Sequence, residues 1–156
     1  MKILLTNDDG ILAPGIISLH KALRGLGELV VIAPKTVQSA MSHGITYTTP
    51  LMAEHVEITP EISGVSVDGR PADCVKVAMR AIWEERFGEG SKPDLTISGM
   101  NSGANVGINI IYSGTVAAAI ESAFLGVPAI AVSLYLSDRK NIRYNRAAEI
   151  ARNTIA

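Results

Sequence analysis

The chain has one cysteine, few aromatic residues and no excess of either charge. A single cysteine, Cys74, excludes an internal disulfide framework and is compatible with a reducing compartment. Fourteen Lys and Arg residues against fifteen Asp and Glu residues give a net charge of −1, so no basic field is available for long nucleic acid. No apolar run approaches the roughly 18 residues of a membrane span. A strand-like run begins almost at Met1 without a signal peptide, and we expect a soluble cytoplasmic protein.

What the chain does contain is enough apolar sequence for one domain over residues 1–156, with 47% hydrophobic and 19% charged residues. Strand-like and helix-like segments alternate, which predicts a three-layer α/β fold: a mainly parallel sheet with helices on both faces. Predicted strands are residues 2–6, 28–33, 94–98 and 129–133, and predicted helices are residues 15–24, 71–86, 115–125 and 145–156. Residues 45–51 and 65–68 depart from this rhythm and predict an antiparallel β-hairpin extension.

The apolar patterns also predict which elements are buried. The strand at 129–133 contains mostly apolar residues and is expected to be buried, as are the first two strands. In the predicted helix 71–86, Cys74 and Met79 fall on one apolar face. Both are therefore assigned to the core and not to chemistry.

Two adjacent carboxylates follow the first predicted strand, in the segment Asn7-Asp8-Asp9-Gly10. In open α/β sheets, ligands bind at the carboxyl ends of the parallel strands, and a turn there can let the two side chains converge. At about 4 Å the two charges repel by about 4 kcal/mol at an effective dielectric of 20. Such a pair is protonated, splayed apart or neutralised by a cation. Asp8 and Asp9 are therefore a candidate divalent-metal site; one capping and one solvated aspartate is the alternative.

Two polar loops follow later strands and would reach the same edge of the sheet. The loop at 38–44 offers hydroxyls and an imidazole, and His43 is a candidate for contact with substrate. The loop at 98–107 contains Asn101 and Asn105, whose amide oxygens suit hard cations such as Mg²⁺ and Mn²⁺. Tight-turn formation is the alternative role for these asparagines.

A third feature is the helix start at Tyr112-Ser113-Gly114-Thr115. The free amides and the positive dipole end of a helix N-terminus bind phosphate readily. Simple capping by Ser113 or Thr115 is the alternative, and capping and phosphate binding are compatible.

Other ligand classes are disfavoured by spacing. The glycines of the 98–107 loop recur every four residues, which fits neither the dinucleotide-binding nor the P-loop pattern, and no lysine follows. No histidine pair has zinc spacing and Cys74 has no cysteine partner. The spacing therefore disfavours dinucleotide binding, Walker-type ATP binding and a zinc site.

Five separated motifs, taken together, resemble those of the SurE family, the stationary-phase survival proteins, which are acid-phosphatase-like nucleotidases. In chain order the motifs are Asn7-Asp8-Asp9-Gly10, Ser39 in its loop, Gly69-x-Pro71-Ala72-Asp73-Cys74, Ser98-Gly99-Met100-Asn101-x-Gly103-x-Asn105-x-Gly107 and Tyr112-Ser113-Gly114-Thr115-Val116. The resemblance extends over essentially the whole chain. It implies a Rossmann-like core and a divalent-metal-dependent phosphatase acting on nucleoside 5′- and 3′-monophosphates.

The resemblance also implies the roles of individual residues. One Mg²⁺ or Mn²⁺ ion per subunit would be bound by Asp8, Asp9, Ser39 and Asn101. Phosphate or substrate contacts map onto Asn7, Ser39, Asn105, Ser113, Gly114 and Thr115. The catalytic residues would be the two aspartates, with Asp9 as general base toward water, and an aspartyl-phosphate intermediate is the open alternative.

Two departures from the family pattern qualify this expectation. Arg70 stands where the family usually has threonine before Pro71. Family members also continue well beyond position 156, with a segment for subunit exchange and oligomerisation. A homodimer or homotetramer is expected if that segment is present.

Two rival functions come from other classes. A receiver-type signalling domain also has an acidic pair after its first strand, but it needs a phospho-accepting Asp and a Lys at later strand ends. The corresponding positions here are Ser98-Gly99 and Ser133-Leu134, which disfavours a receiver. A non-catalytic nucleotide- or phosphate-binding module is the stronger alternative.

Overall fold

The structure, a computed structural model, describes residues 1–156 and contains one six-stranded sheet. The strands are β1 (Lys2–Thr6), β2 (Glu28–Pro34), β3 (Ala53–Thr59), β4 (Ile62–Val67), β5 (Leu95–Asn101) and β6 (Ala129–Ser133). Their order is β3-β4-β2-β1-β5-β6. All neighbours are parallel except β3 and β4, which are antiparallel. The predicted mainly parallel Rossmann-like sheet is confirmed.

Helices form where the sequence predicts them, with ends shifted by one or two residues. They are α1 (Pro14–Leu23), α2 (Pro71–Val77), α3 (Trp83–Phe87), α4 (Gly114–Phe124) and α5 (Tyr144–Ile155). A π-helical segment, Ala78–Ile82, joins α2 to α3, so the predicted helix 71–86 is one helical stretch in three parts. A 3₁₀ segment, Gly107–Tyr112, precedes α4. None of these helices has both the length and the apolar character needed to cross a bilayer.

The sheet separates two apolar cores because successive strand residues point to opposite faces. In β1, Ile3 and Leu5 pack in the core that includes residues of α1 and α5. Leu4, between them, packs in the core that includes residues of α2 and α4. Helices therefore cover both faces, as the pattern predicts.

The predicted hairpin exists, but its strands are displaced. Residues 45–51 form no strand; β3 lies at Ala53–Thr59 and pairs with β4 at the sheet edge. The residues of β3 are mostly polar and exposed, so their alternation gives a weak signal. The segment 45–51 has high β propensity, but it has no strand partner, and propensity is outweighed by context.

The prediction that residues 129–133 are buried is wrong, although the strand has the predicted bounds. β6 is the edge strand beside β5, and all five of its residues are exposed or half-buried. An apolar run indicates a buried strand only when neighbours cover both faces. That coverage is a property of the sheet order and not of the local sequence.

Cys74 is fully buried in the α2 core, and Met79 is 5% exposed, so both belong to the core as predicted. Burial, with a smaller effect of the Asp73 charge, raises the pKa of the Cys74 thiol far above its usual range. We expect a thiol-specific disulfide reagent to react at least about a hundredfold more slowly with the native chain than with the chain in denaturant. Release of the reagent's chromophore measures both rates, and equal rates would contradict the assignment.

Candidate active site

Asp8 lies just beyond the carboxyl end of β1, beside the N-terminus of α4. Its Oδ1 accepts a hydrogen bond from the Thr115 hydroxyl at 2.5 Å, and the residue is only 6% exposed. A Cβ on Gly114 would lie 2.8 Å from the Cβ of Asp8 and 3.0 Å from Cγ of Pro71. Glycine at 114 is therefore what lets the helix start approach the carboxylate so closely.

Asp9 is bonded to the loop that follows β5. Its Oδ2 accepts hydrogen bonds from the Ser102 backbone amide at 2.8 Å and from the Ser102 hydroxyl at 2.9 Å. The Ser102 hydroxyl is in turn 2.8 Å from the hydroxyl of Tyr144, the first residue of α5. Ser102 and Tyr144 were not among the predicted site residues, because no local spacing links these positions to Asp9.

The electrostatics of the pair favour a cation. Burial raises the pKa of Asp8 and the nearby Asp9 charge raises it further, while the Thr115 hydrogen bond opposes both effects. Neither aspartate belongs to any ion pair in the chain. Asp8 is thus buried beside a like charge without a protein cation. The alternative of one capping and one solvated turn aspartate does not describe this arrangement.

Asn7 is fully buried directly before the acidic pair. Its Nδ2 donates to the Gly10 carbonyl at 2.8 Å, and its Oδ1 is buried with no hydrogen-bond partner. A buried oxygen without a donor is costly unless a ligand satisfies it. The predicted contact of Asn7 with substrate stays a prediction.

The other predicted metal ligands lie on segments that meet the acidic pair. Nδ2 of Asn101 donates to the Gly103 carbonyl at 2.7 Å, which leaves its Oδ1 available. The amide of Gln38 donates to the Asp8 carbonyl at 2.8 Å, so the loop with the exposed Ser39 begins beside Asp8. No cluster of three or more His, Cys, Asp or Glu side chains exists. Two carboxylates with neutral oxygens fit Mg²⁺ or Mn²⁺ better than zinc.

Three of the predicted phosphate-binding residues, Ser113, Gly114 and Thr115, form the start of α4. Ser113 caps this helix, since its Oγ accepts from the Val116 amide at 3.2 Å. The Thr115 hydroxyl is bonded to Asp8, so its side chain holds the carboxylate and is not free for phosphate. Nδ2 of Asn105 donates to the Ser133 hydroxyl at 2.8 Å. The roles of Ser113, Gly114 and Thr115 as phosphate contacts stay predictions.

Comparisons with known proteins identify the family of the chain. The family model described as "Survival protein SurE" matches residues 3–156. The chain belongs to the SurE family. It is similar to the 5'-nucleotidase SurE of Rhodopirellula baltica, with 48% identity over 99% of this chain and 58% of the relative. The 5'-nucleotidase SurE of Carboxydothermus hydrogenoformans is 50% identical over 96% of this chain and 56% of the relative.

A solved SurE protein has the same fold. The crystal structure of the SurE protein from Aquifex aeolicus matches with a TM-score of 0.83 and 41% identity, over 99% of this chain and 58% of that chain. The chain thus spans little more than half the length of these SurE relatives. The homodimer or homotetramer expected from the sequence is not tested by these comparisons and stays a prediction.

The side chain of His43, the candidate substrate contact, is bonded to the middle of α4. Its Nε2 lies 2.7 Å from Oε2 of Glu121 on α4, and its ring stacks on Phe124 with centroids 5.7 Å apart. These contacts give the imidazole a partner other than substrate. Glu121 was not among the predicted site residues, since a glutamate within a helix has no distinguishing local pattern.

Proposed function

We propose that this chain contains the active site of a divalent-metal-dependent phosphomonoesterase that hydrolyses nucleoside 5′- and 3′-monophosphates to nucleoside and phosphate. The observation on which this rests is the junction of β1 and α4, where the buried Asp8 beside Asp9 accepts from Thr115 at a helix N-terminus. The proposed cation site and the proposed anion site would thus share one edge of the sheet. The name 5'-nucleotidase of the SurE relatives supports the nucleotide substrate and disfavours a non-catalytic module.

Four residues would hold the metal in this proposal: Asp8, Asp9, Ser39 and Asn101. Their carboxylate, hydroxyl and amide oxygens suit Mg²⁺ and Mn²⁺ equally. A bound ion would polarise the phosphoryl group and lower the pKa of a bound water. The buried Asp8 carboxylate, which has no protein cation beside it, is the feature of the structure that such an ion would neutralise.

The start of α4 would stabilise the charge on the phosphoryl group. Ser113 Oγ accepts from the Val116 amide, so its own proton is free to be donated to a phosphoryl oxygen. The Gly114 backbone lies at the positive end of the helix dipole. Donors held in place before the reaction stabilise developing charge without reorganising.

Asp9 would be the general base. Its Oδ2 already accepts two hydrogen bonds from Ser102, which leaves Oδ1 to take a proton from the attacking water. The contact with Tyr144 fixes the Ser102 hydroxyl, and Ser102 in turn fixes the orientation of Asp9. A carboxylate that is already held in the reactive orientation loses little entropy when it takes the proton from the attacking water.

A substrate panel tests the proposal. Nucleoside 5′- and 3′-monophosphates, inorganic polyphosphate and a simple aryl phosphate are incubated with the chain and Mg²⁺, Mn²⁺ or chelator, and released phosphate is measured. We expect turnover of nucleoside monophosphates with added metal and none with excess chelator. Nucleotide binding without phosphate release under any metal would contradict catalysis, and release unaffected by chelator would contradict metal dependence.

A further inference from the structure

The segment with Ser39, residues 38–47, is here termed the Ser39 loop. It has no helix or strand of its own, and two of its residues, Ala40 (φ 57°) and Ser42 (φ 53°), have left-handed backbone conformations. Residues other than glycine adopt this backbone conformation at a cost in free energy. The loop therefore depends on contacts with the rest of the fold to hold its shape.

Backbone contacts fix several points of the Ser39 loop. Its first amide, that of Gln38, donates to the Asp8 carbonyl at 2.8 Å, and the Ser42 amide donates to the Tyr112 carbonyl at 3.1 Å. Near its end, the Thr46 amide lies 3.0 and 3.1 Å from the two carboxylate oxygens of Asp73, which is 1% exposed on α2. These bonds attach the loop to the site and to α2.

Glu121 makes the side-chain attachment. It is only 6% exposed on α4, and each of its oxygens has one cationic or imidazole partner. Oε2 lies 2.7 Å from Nε2 of His43 in the loop, and Oε1 lies 3.1 Å from Nζ of Lys76. Phe124, one helical turn along α4, stacks on the same imidazole. One buried carboxylate thus joins α4, α2 and the loop.

We propose that Glu121 is a positioning residue, which acts through His43 to hold the Ser39 loop at the metal site. This inference rests on the proposed function, since Ser39 is one of the proposed ligands. Glu121 itself contacts neither substrate nor metal in this proposal. The same α4 helix that binds Asp8 through Thr115 at its first turn binds the loop through Glu121 further along. Asp8 and the Ser39 loop are therefore both attached to α4.

Metal activation of a Glu121→Ala variant tests the proposal. Loss of a residue that orients a ligand typically weakens metal binding 10–100-fold, and we expect a rise of that order in the Mn²⁺ concentration for half-maximal activity. The matched control is Ser122→Ala. Ser122 is its buried neighbour in α4, and its hydroxyl donates to Thr96 on the sheet side at 2.8 Å. Both variants should lose thermal stability, but only Glu121→Ala should require more metal.

A double-mutant cycle tests whether the effect passes through His43. If it does, His43→Ala should raise the required Mn²⁺ by a similar factor, and the double variant should add little beyond either single change. Independent effects that multiply in the double variant would contradict the route through His43. A Glu121→Ala metal requirement equal to that of Ser122→Ala would contradict the positioning role.

Hydrogen exchange supplies a readout that does not depend on activity. In Glu121→Ala, peptides covering residues 38–47 should exchange faster than in the wild type, while peptides of β3 should be unchanged. Unchanged exchange in residues 38–47 would overturn the inference even if the variant is inactive. If the wild type releases no phosphate from any nucleotide, the proposed function fails, yet the exchange result still decides whether Glu121 holds the loop.

Discussion

Replacing Asp8 with asparagine is expected to abolish metal-dependent phosphate release without destabilising the metal-free chain. Asparagine keeps the size of the side chain and an Oδ1 that can accept from Thr115, but it removes the charge that would bind metal. We expect a loss of about 10³-fold in turnover, comparable to removing a principal electrostatic contact of an active site.

Asp8→Asn should lower turnover but raise the free energy of unfolding of the metal-free chain. Asp8 is buried, its pKa is raised by desolvation and by the Asp9 charge, and no protein cation compensates it. Removing that charge should stabilise the metal-free chain by up to on the order of 1 kcal/mol, as is common when a strained site residue is neutralised. A simultaneous loss of activity and gain of unfolding free energy would identify Asp8 as a functional residue.

Urea unfolding in chelator and phosphate release in Mn²⁺ measure the two effects. Asp68→Asn is the control, because Asp68 is an exposed aspartate just past the end of β4 and forms no ion pair. It should change neither quantity appreciably. Wild-type turnover in both Asp8→Asn and Asp9→Asn would refute the proposed site.

Gly15→Ala should lower the unfolding free energy by about 3 kcal/mol, near the upper end for an overpacked site. Gly15 is the second residue of α1 and is buried there. In most helices, alanine in place of glycine stabilises by about 1 kcal/mol. Here a Cβ at position 15 would overlap the carbonyl oxygen of Met100 in β5. Either α1 or the end of β5 must shift, which reverses the usual sign.

Thermal unfolding measures this effect, and a loss of about 3 kcal/mol corresponds to roughly 6–12 °C in a domain of this size. Lys21→Ala, at an exposed position of the same helix, should stay within about 0.5 kcal/mol of the wild type. Gly15→Ala with wild-type or higher stability would show that α1 and β5 are not packed this closely. Since β5 ends at Asn101, a proposed metal ligand, a shift there should also reduce activity.

Local periodicity accounts for the parts of the fold that could be predicted. Apolar runs near Ile3, Val30 and Ile97 lie in central strands, where helices cover both faces and the apolar side chains are buried. The strand at 129–133 has the same pattern, but it lies at an edge, and no local feature distinguishes the two cases. The first hairpin strand was predicted at residues 45–51 and lies at Ala53–Thr59. An exposed edge strand can be polar and still pair with its neighbour, so an apolar pattern does not locate it.

Some features of the candidate site could likewise be predicted from the sequence, and others depend on the tertiary structure. The sequence by itself determined that Asp8, Asp9 and Asn101 follow neighbouring strands, because the carboxyl ends of parallel strands share one edge. Only the tertiary structure decided that Thr115 bonds Asp8, that Ser102 and Tyr144 bond Asp9, and that Glu121 holds His43. Local spacing specifies strands and helices, but contacts between residues about 40 to 110 positions apart depend on how those elements pack.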